Sequence, residues 1–298
     1  MDNETILFDR LEIIKTANAK FDLEHNAYLS FSGGKDSTIL HHLLDMALPN
    51  NPIPRVYVDT GIEYKAVREF VLDMAGKDPR FVIIKPTKPI KKVLETYGYP
   101  FKSKEHSKIL AVYQHSGLGK SVNDYLDKEG YKMIKCPTAL RYQFTDDFNI
   151  KVSDQCCLRL KKEPFKKYQK ESGKTIVLTG MRKSEGGQRK SLTGCIITDK
   201  EGHLKKFHPL LVVDDDFENW CLEREKITLC ELYYPPFNFK RTGCKGCPFS
   251  LDLQEQLTLM ELYLPAERKQ CEIIWKPIYD EYRRIGYRLK QDEQLKLF

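Results

Sequence analysis

The stretch Tyr28-Leu29-Ser30-Phe31-Ser32-Gly33-Gly34-Lys35-Asp36-Ser37-Thr38-Ile39-Leu40 constrains this chain more than any other. It reads as an apolar strand, a glycine turn carrying one lysine, and a helix beginning near Asp36 or Ser37, both good capping types. Such an arrangement is an anion site. Adjacent glycines let successive backbone N–H groups converge, and the helix start adds its positive dipole end. Lys35 and the hydroxyls of Ser32 and Ser37 complete the cradle, whose natural occupant is phosphate. The commoner nucleotide loop, Gly-x-x-x-x-Gly-Lys followed by Ser or Thr, does not fit, because Leu29 stands where its first glycine belongs and Asp36 follows the lysine.

Around this loop the pattern alternates. Residues 4–21 read as an amphipathic lead-in helix and 27–31 as the first buried strand. Ile39, Leu40, Leu43, Leu44 and Ala47 keep helical spacing until Pro49. A second strand over 55–59 ends in Asp59-Thr60-Gly61, a helix follows over 66–74, and a third strand covers 81–84. A further strand over 175–179 runs into Gly180-Met181-Arg182 and on to Arg189, and Phe207-His208-Pro209-Leu210 closes the sheet region. This is the signature of a doubly wound, mostly parallel α/β sheet with flanking helices and a smaller C-terminal helical segment. The expected organisation is a lead-in helix (1–24), a nucleotide-binding α/β domain (25–212) and a C-terminal segment with a cysteine knuckle and closing helices (213–298). Ligands collect at the carboxyl ends of parallel strands, so the Asp59-Thr60-Gly61 turn and the glycine loop should share a crevice. Arg182 and Arg189 should reach it as forked donors for phosphate or sulfate oxygens. Residues 97–142 keep a poor pattern and read as a long excursion over the sheet. His106 and His115 in it lack a third partner at metal spacing and read as ordinary histidines. Asp214, Asp215, Asp216 and Glu218 read as acidic residues at the positive end of a helix.

With 298 residues, 41% of them hydrophobic, the chain can bury a real core. It has no apolar run of membrane-spanning length, and the acidic start Met1-Asp2-Asn3-Glu4 is unlike a secretory signal, so a cytoplasmic protein with no membrane partner is expected. Its nine cysteines then point to metal or catalytic roles before disulfides. A net charge of +7 suits polyanionic ligands, and a solvated lysine-rich surface accounts for it equally.

Cys244-Lys245-Gly246-Cys247-Pro248 is a Cys-x-x-Cys knuckle that alone fits zinc, an iron–sulfur cluster or a redox dithiol. The adjacent pair Cys156-Cys157 supplies two further sulfurs. Were the four to share one pocket, as the resemblance described next implies, iron and sulfide would absorb their charge well and Lys161 would offset part of it. Taken together, Ser32-Gly33-Gly34-Lys35-Asp36-Ser37, the Asp59-Thr60-Gly61 turn and the Cys-Cys…Cys-x-x-Cys arrangement resemble the phosphoadenylylsulfate and adenylylsulfate reductase family of the PP-loop ATP-pyrophosphatase superfamily. Lys161, Pro164, Thr179 to Arg182, Pro209-Leu210, Trp220 and the stretch 234–243 extend the resemblance, which covers residues 27–249.

The resemblance implies an enzyme that binds adenylylsulfate, phosphoadenylylsulfate or ATP and acts at its phosphate or sulfate anhydride. Ser32, Gly33, Gly34, Lys35, Asp36 and Ser37 would cradle phosphate, Asp59, Thr60 and Gly61 would flank the nucleotide, and Gly180, Arg182 and Arg189 would clamp its anionic end. Lys35, Arg182 and Lys161 would carry the catalytic charge. Cys156, Cys157, Cys244 and Cys247 would hold a 4Fe–4S cluster, with zinc as the alternative. A reductase would draw on a thioredoxin-like partner, and an ATP-dependent enzyme would use Mg.

The chain departs from the family at its end, which reads Asp292-Glu293-Gln294-Leu295-Lys296-Leu297-Phe298 where the reductases carry a cysteine in a Glu-Cys-Gly-x-His tail. Cys271 lacks the following Gly and His and lies near Ile274, Trp275, Ile278 and Tyr282, as a core cysteine would. Two other readings therefore stand beside the reductase. One is ATP-dependent sulfur insertion into nucleic acid, as in DNA phosphorothioation, with Arg159, Lys161, Lys162, Lys166, Lys167, Lys170 and Tyr168 receiving the backbone or simply forming an exposed face. The other is a non-catalytic nucleotide-binding module.

Overall fold

In the computed structural model, which describes residues 2–127, 135–186, 189 and 191–291, six strands form one sheet in the order β3-β2-β1-β4-β6-β5. The strands are β1 (Ala27–Phe31), β2 (Arg55–Val58), β3 (Phe81–Ile84), β4 (Ile176–Leu178), β5 (Ile196–Thr198) and β6 (Leu204–Phe207). All pair in parallel except β5, which returns antiparallel along β6 as an edge hairpin that the sequence reading did not anticipate. Its residues alternate poorly, and Ile196 is exposed. From β1 the chain runs outward through β2 and β3, then crosses back to β4 on the other side of β1. The order therefore reverses between β1 and β4, which is where an open parallel sheet leaves a crevice at its carboxyl edge.

The chain contacts divide the protein into two units. The first comprises Met1–Asp59, Glu63–Lys85 and Pro164–Thr242, and the second Thr60–Ile62, Pro86–Glu163 and Gly243–Phe298. The first unit holds the sheet with α1 (Asn3–Phe21), α2 (Leu23–Asn26), α3 (Lys35–Ala47), α4 (Lys65–Lys77) and α10 (Asp215–Arg224). Strand β1 is buried on both faces, as a central parallel strand should be. Leu29 and Phe31 meet Ile39, Leu40, Leu43 and Leu44 of α3, Phe217 of α10 and Ile14 of α1 in one apolar core. A charged network lies beside it. Arg55, fully enclosed, donates to His41 Nδ1 at 3.0 Å, to Asn51 Oδ1 at 2.8 Å and to Asp45 Oδ1 at 2.6 Å. Each of its nitrogens thereby recovers a partner for the water lost on burial.

The second unit is helical: α5 (Ile90–Tyr97), α6 (Lys104–Ser116), α7 (Lys120–Leu126), α8 (Gln155–Cys157), α11 (Leu253–Tyr263), α12 (Pro265–Ile274) and α13 (Lys276–Arg284), with α9 (Glu163–Ser172) beginning at its boundary. Of the stretch expected to wander between 97 and 142, the described residues are thus largely helix. Its periodicity is masked because a polar set faces inward: His106, buried on α6, meets Tyr125 Oη at 2.9 Å and Gln143 Oε1 at 2.7 Å. His106 is therefore a satisfied core histidine, held neutral by burial with its pKa pushed down to about 4. Among the described residues no helix is long and apolar enough to cross a membrane.

Candidate nucleotide site and cysteine cluster

The glycine loop stands at the carboxyl end of β1, next to the point where the strand order reverses. Gly33 adopts a φ of +72°, open to glycine at no steric cost, and Gly34 caps α3, which starts one residue before the expected Asp36. No side chain caps that helix. The loop is closed by its own hydroxyls: Ser37 Oγ donates to Gly34 O at 2.9 Å and lies 3.0 Å from Ser32 Oγ, while Thr38 Oγ1 donates to Gly34 O at 3.0 Å. Tyr233 Oη accepts the Lys35 amide at 3.0 Å and pairs with Thr242 Oγ1 at 2.8 Å. The Tyr233 hydroxyl is thus an unanticipated part of the loop, and burial pushes its pKa up to about 12.

Strand β4 brings in the second half of the site. A Cβ at Gly180 would lie 2.7 Å from the Asp36 carbonyl oxygen, so the strand end approaches the loop with no room for a side chain. Arg182, only 5% exposed, sends Nε to Asp36 Oδ1 at 2.8 Å, Nη1 to Asp215 Oδ1 at 2.9 Å and Nη2 to Glu218 Oε2 at 3.0 Å. Lys35 Nζ reaches the same Glu218 Oε2 at 3.0 Å. Glu218 is fully enclosed, and burial, with the neighbouring Asp36 carboxyl, raises its pKa. Its only signal in the sequence is its place among four acids opening α10.

The remaining expected residues fall differently. Asp59, at the end of β2, binds Arg68 Nε at 3.0 Å, whereas Thr60 and Gly61 belong to the second unit. Arg189 pairs with Glu185, which also binds Arg241, so its guanidinium is held by its own loop. The neighbouring Gly187 and Gln188 lie outside the described residues.

In the second unit the four cysteines lie within one electrostatic neighbourhood. Cys156, on α8, is buried and hydrogen-bonded to Cys157, and it feels Cys247 and Cys244. Its pKa rises for those reasons. Cys157 is pushed down to about 6, first by the hydrogen bond from Cys156 and then, against burial, by Lys104, Lys161 and Lys162. Lys161 is thus one of three lysines whose charge acts on Cys157. The helix widens to a π turn over Leu158–Lys162 directly after the pair, a distortion frequent at functional sites. Across from it, Trp275 Nε1 donates to Lys245 O at 3.1 Å, Tyr279 Oη to Gly246 O and Tyr282 Oη to Pro248 O at 2.9 Å. Lys245 Nζ is tied to Gln270 Oε1 at 2.7 Å and to Glu267 Oε2 at 3.2 Å. Cys271 is fully enclosed, with its pKa pushed up to about 12 by burial, and so is a core cysteine. Among the described residues, the group of three or more His, Cys, Asp or Glu ligand atoms within 4.8 Å of one another is Asp199, Glu201 and His203 on the exposed hairpin. No three of the four cysteine sulfurs come that close.

A parallel sheet with a Ser-Gly-Gly-Lys-Asp-Ser loop at its switch point defines a PP-loop nucleotide-binding α/β protein. Residues 26–129 and 131–250 match the phosphoadenosine phosphosulfate reductase domain, and the chain belongs to that family. It is 26% identical over 257 residues to an uncharacterized protein of Methanocaldococcus jannaschii, covering 85% of this chain and 48% of the relative. The chain thus spans about half the length of that curated relative. Similar solved structures include phosphoadenylyl-sulfate reductase from Candida auris in a phosphate complex, at 16% identity and a TM-score of 0.49 over 81% of this chain and 91% of that one. Another is the NH3-dependent NAD synthetase of Campylobacter jejuni, at 15% identity and a TM-score of 0.41 over 96% and 97%.

Proposed function

We infer that this protein is an enzyme that binds an adenine nucleotide in the crevice between β1 and β4 and acts at its phosphate or sulfate anhydride. The observation that carries this reading is the convergence of the loop, Lys35 and Arg182 at the carboxyl edge of the sheet. Preorganised cationic donors in a buried site stabilise the charge that develops on an anhydride oxygen as it is attacked. Ser32, Ser37 and the start of α3 would orient the phosphate, and Arg182 would align the far anionic group.

The second unit would hold a 4Fe–4S cluster through Cys156, Cys157, Cys244 and Cys247. The donor set supports it: four soft sulfurs with lysines flanking them. Such a cluster supplies electron transfer or electrostatic activation when bound.

Anaerobically purified protein is expected to be brown, with about four irons per chain. Cys244→Ser should lose them, and zinc or no metal in the wild type would refute the cluster. Lys35→Ala should weaken adenine nucleotide binding by about 10- to 100-fold, as loss of a charge-assisted contact does. Product analysis then separates the chemistries. Sulfite released with AMP from adenylylsulfate, or with adenosine 3′,5′-bisphosphate from phosphoadenylylsulfate, in the presence of reduced thioredoxin marks a reductase, and pyrophosphate from ATP stimulated by nucleic acid marks sulfur insertion. Nucleotide binding with no turnover under either condition would leave a binding module.

A further inference from the structure

One buried carboxylate is left over by the nucleotide reading. Glu218 lies in the first turns of α10, has no exposed surface, and is the point on which both expected anion-binding cations converge, each at 3.0 Å. The groups facing it are Lys35 and Asp36 from α3, Arg182 from the loop after β4, and Asp215 and Cys221 from its own helix, with Arg241 near Asp215. Three carboxylates, Asp36, Asp215 and Glu218, therefore answer two enclosed cations before any ligand is present. A nucleotide phosphate needs the same donors and brings more negative charge into the same enclosed volume. Coulomb repulsion between it and an ionised Glu218 would be strong there, since little water screens the pair.

Resting on the adenine-nucleotide reading, we propose that Glu218 is an internal counter-ion for Lys35 and Arg182, which an anionic nucleotide replaces by driving a proton from solvent onto the Glu218 carboxyl. Lys35 and Arg182 stay cationic and transfer their ion pairs from Glu218 to phosphate oxygens. Glu218 remains in place as a neutral acid whose proton is shared with Asp36. The geometry already leans this way: burial and the adjacent Asp36 push Glu218 up to about 8, against the pull of Arg182 and Lys35. Above that pH the ionised form occupies the donors, and a competent site exists only in the remaining protonated fraction.

The test is calorimetric titration of the full chain with ATP in EDTA between about pH 7.5 and 9.5, a range in which phosphate groups with second pKa values near 6 are already ionised. Wild-type affinity should fall towards tenfold per pH unit above about pH 8. Titrations in two buffers of different ionisation enthalpy should show uptake approaching one proton per ATP above that pH. Glu218→Gln should flatten the profile and bind ATP about tenfold tighter than wild type near pH 9. If Lys35→Ala abolishes binding but the wild type shows neither proton uptake nor pH dependence, the counter-ion role is overturned while the nucleotide site stands. If the wild type binds neither ATP nor adenylylsulfate in the same titration, or Lys35→Ala binds them unchanged, the nucleotide reading fails and takes this inference with it. Should Glu218→Gln not fold, the wild-type profile and proton count decide alone.

Discussion

Gly33 shows how much a single residue is asked to do. Its φ of +72° is one that L side chains rarely adopt, and a Cβ there would meet Val71 Cγ2 at 2.7 Å and Val67 Cγ1 at 2.9 Å. Loop conformation and packing of α4 therefore both require glycine. Gly33→Ala is expected to destabilise the protein by roughly 1–3 kcal/mol, read as a lowered denaturation midpoint with unchanged slope. A midpoint equal to the wild type would show that α4 gives way at no cost. The need for glycine was legible in the sequence; the reason that α4 adds to it was not. Tyr233 and Glu218 mark the opposite case. Both touch groups about 200 residues away in the chain, Tyr233 at the Lys35 amide and Glu218 at Lys35 Nζ, and no local pattern encodes a meeting at that separation.

At the scale of elements, the helices that follow the Cys-x-x-Cys turn act as its scaffold. Trp275 from the junction of α12 and α13, with Tyr279 and Tyr282 from α13, donates to three backbone carbonyls of residues 245–248, so the turn is held from one side by groups that are themselves packed. Ligands held by a rigid supporting shell lose less entropy on binding a metal or cluster and release it more slowly. Tyr279→Phe keeps the ring and removes the hydrogen bond to Gly246, at a stability cost of about 1 kcal/mol. Iron of the proposed cluster should then leave the anaerobic protein faster in the presence of a chelator, while Ile273→Ala, at an exposed position of α12, should not change the rate. Equal rates for Tyr279→Phe and wild type would deny the scaffold any part in retention. The apolar side of this scaffold, Trp275, Ile278 and Tyr282, was readable from its spacing. Its hydroxyl and indole donors were not, because a tyrosine at a core-facing position looks the same whether or not its Oη has a partner.

Across the molecule, three histidines are buried as neutral rings. His41 at the Arg55 network, His106 on α6 and His208 against Thr179 Oγ1 at 2.6 Å each have pKa values pushed down to about 4, first by burial. An unfolded chain takes up these protons near pH 6.5, and the folded protein does so only near pH 4. The unfolded state thus binds more protons in that window, and stability should be greatest above about pH 6.5 and fall as pH drops towards 4. Melting curves across that range check it. His106→Asn should lower the melting temperature at neutral pH through loss of packing and show a shallower fall with acid. A stability independent of pH there would mean that the three rings accept protons in the folded state.

By itself the sequence determined the parts whose physics is local: the glycine loop, the alternating strands and helices around it, and the four cysteines in two short motifs. These depend on φ preferences, on periodic burial and on ligand spacing, all of which operate over a few residues. Tertiary structure alone decided which charges meet. It placed Arg182 and Lys35 on one buried carboxylate, returned Arg189 to Glu185, and gathered Tyr125 and Gln143 around an inward-facing histidine on α6. The reason is electrostatic: a charge or polar group taken from water must find its partner wherever the fold provides one, and sequence distance does not limit that choice.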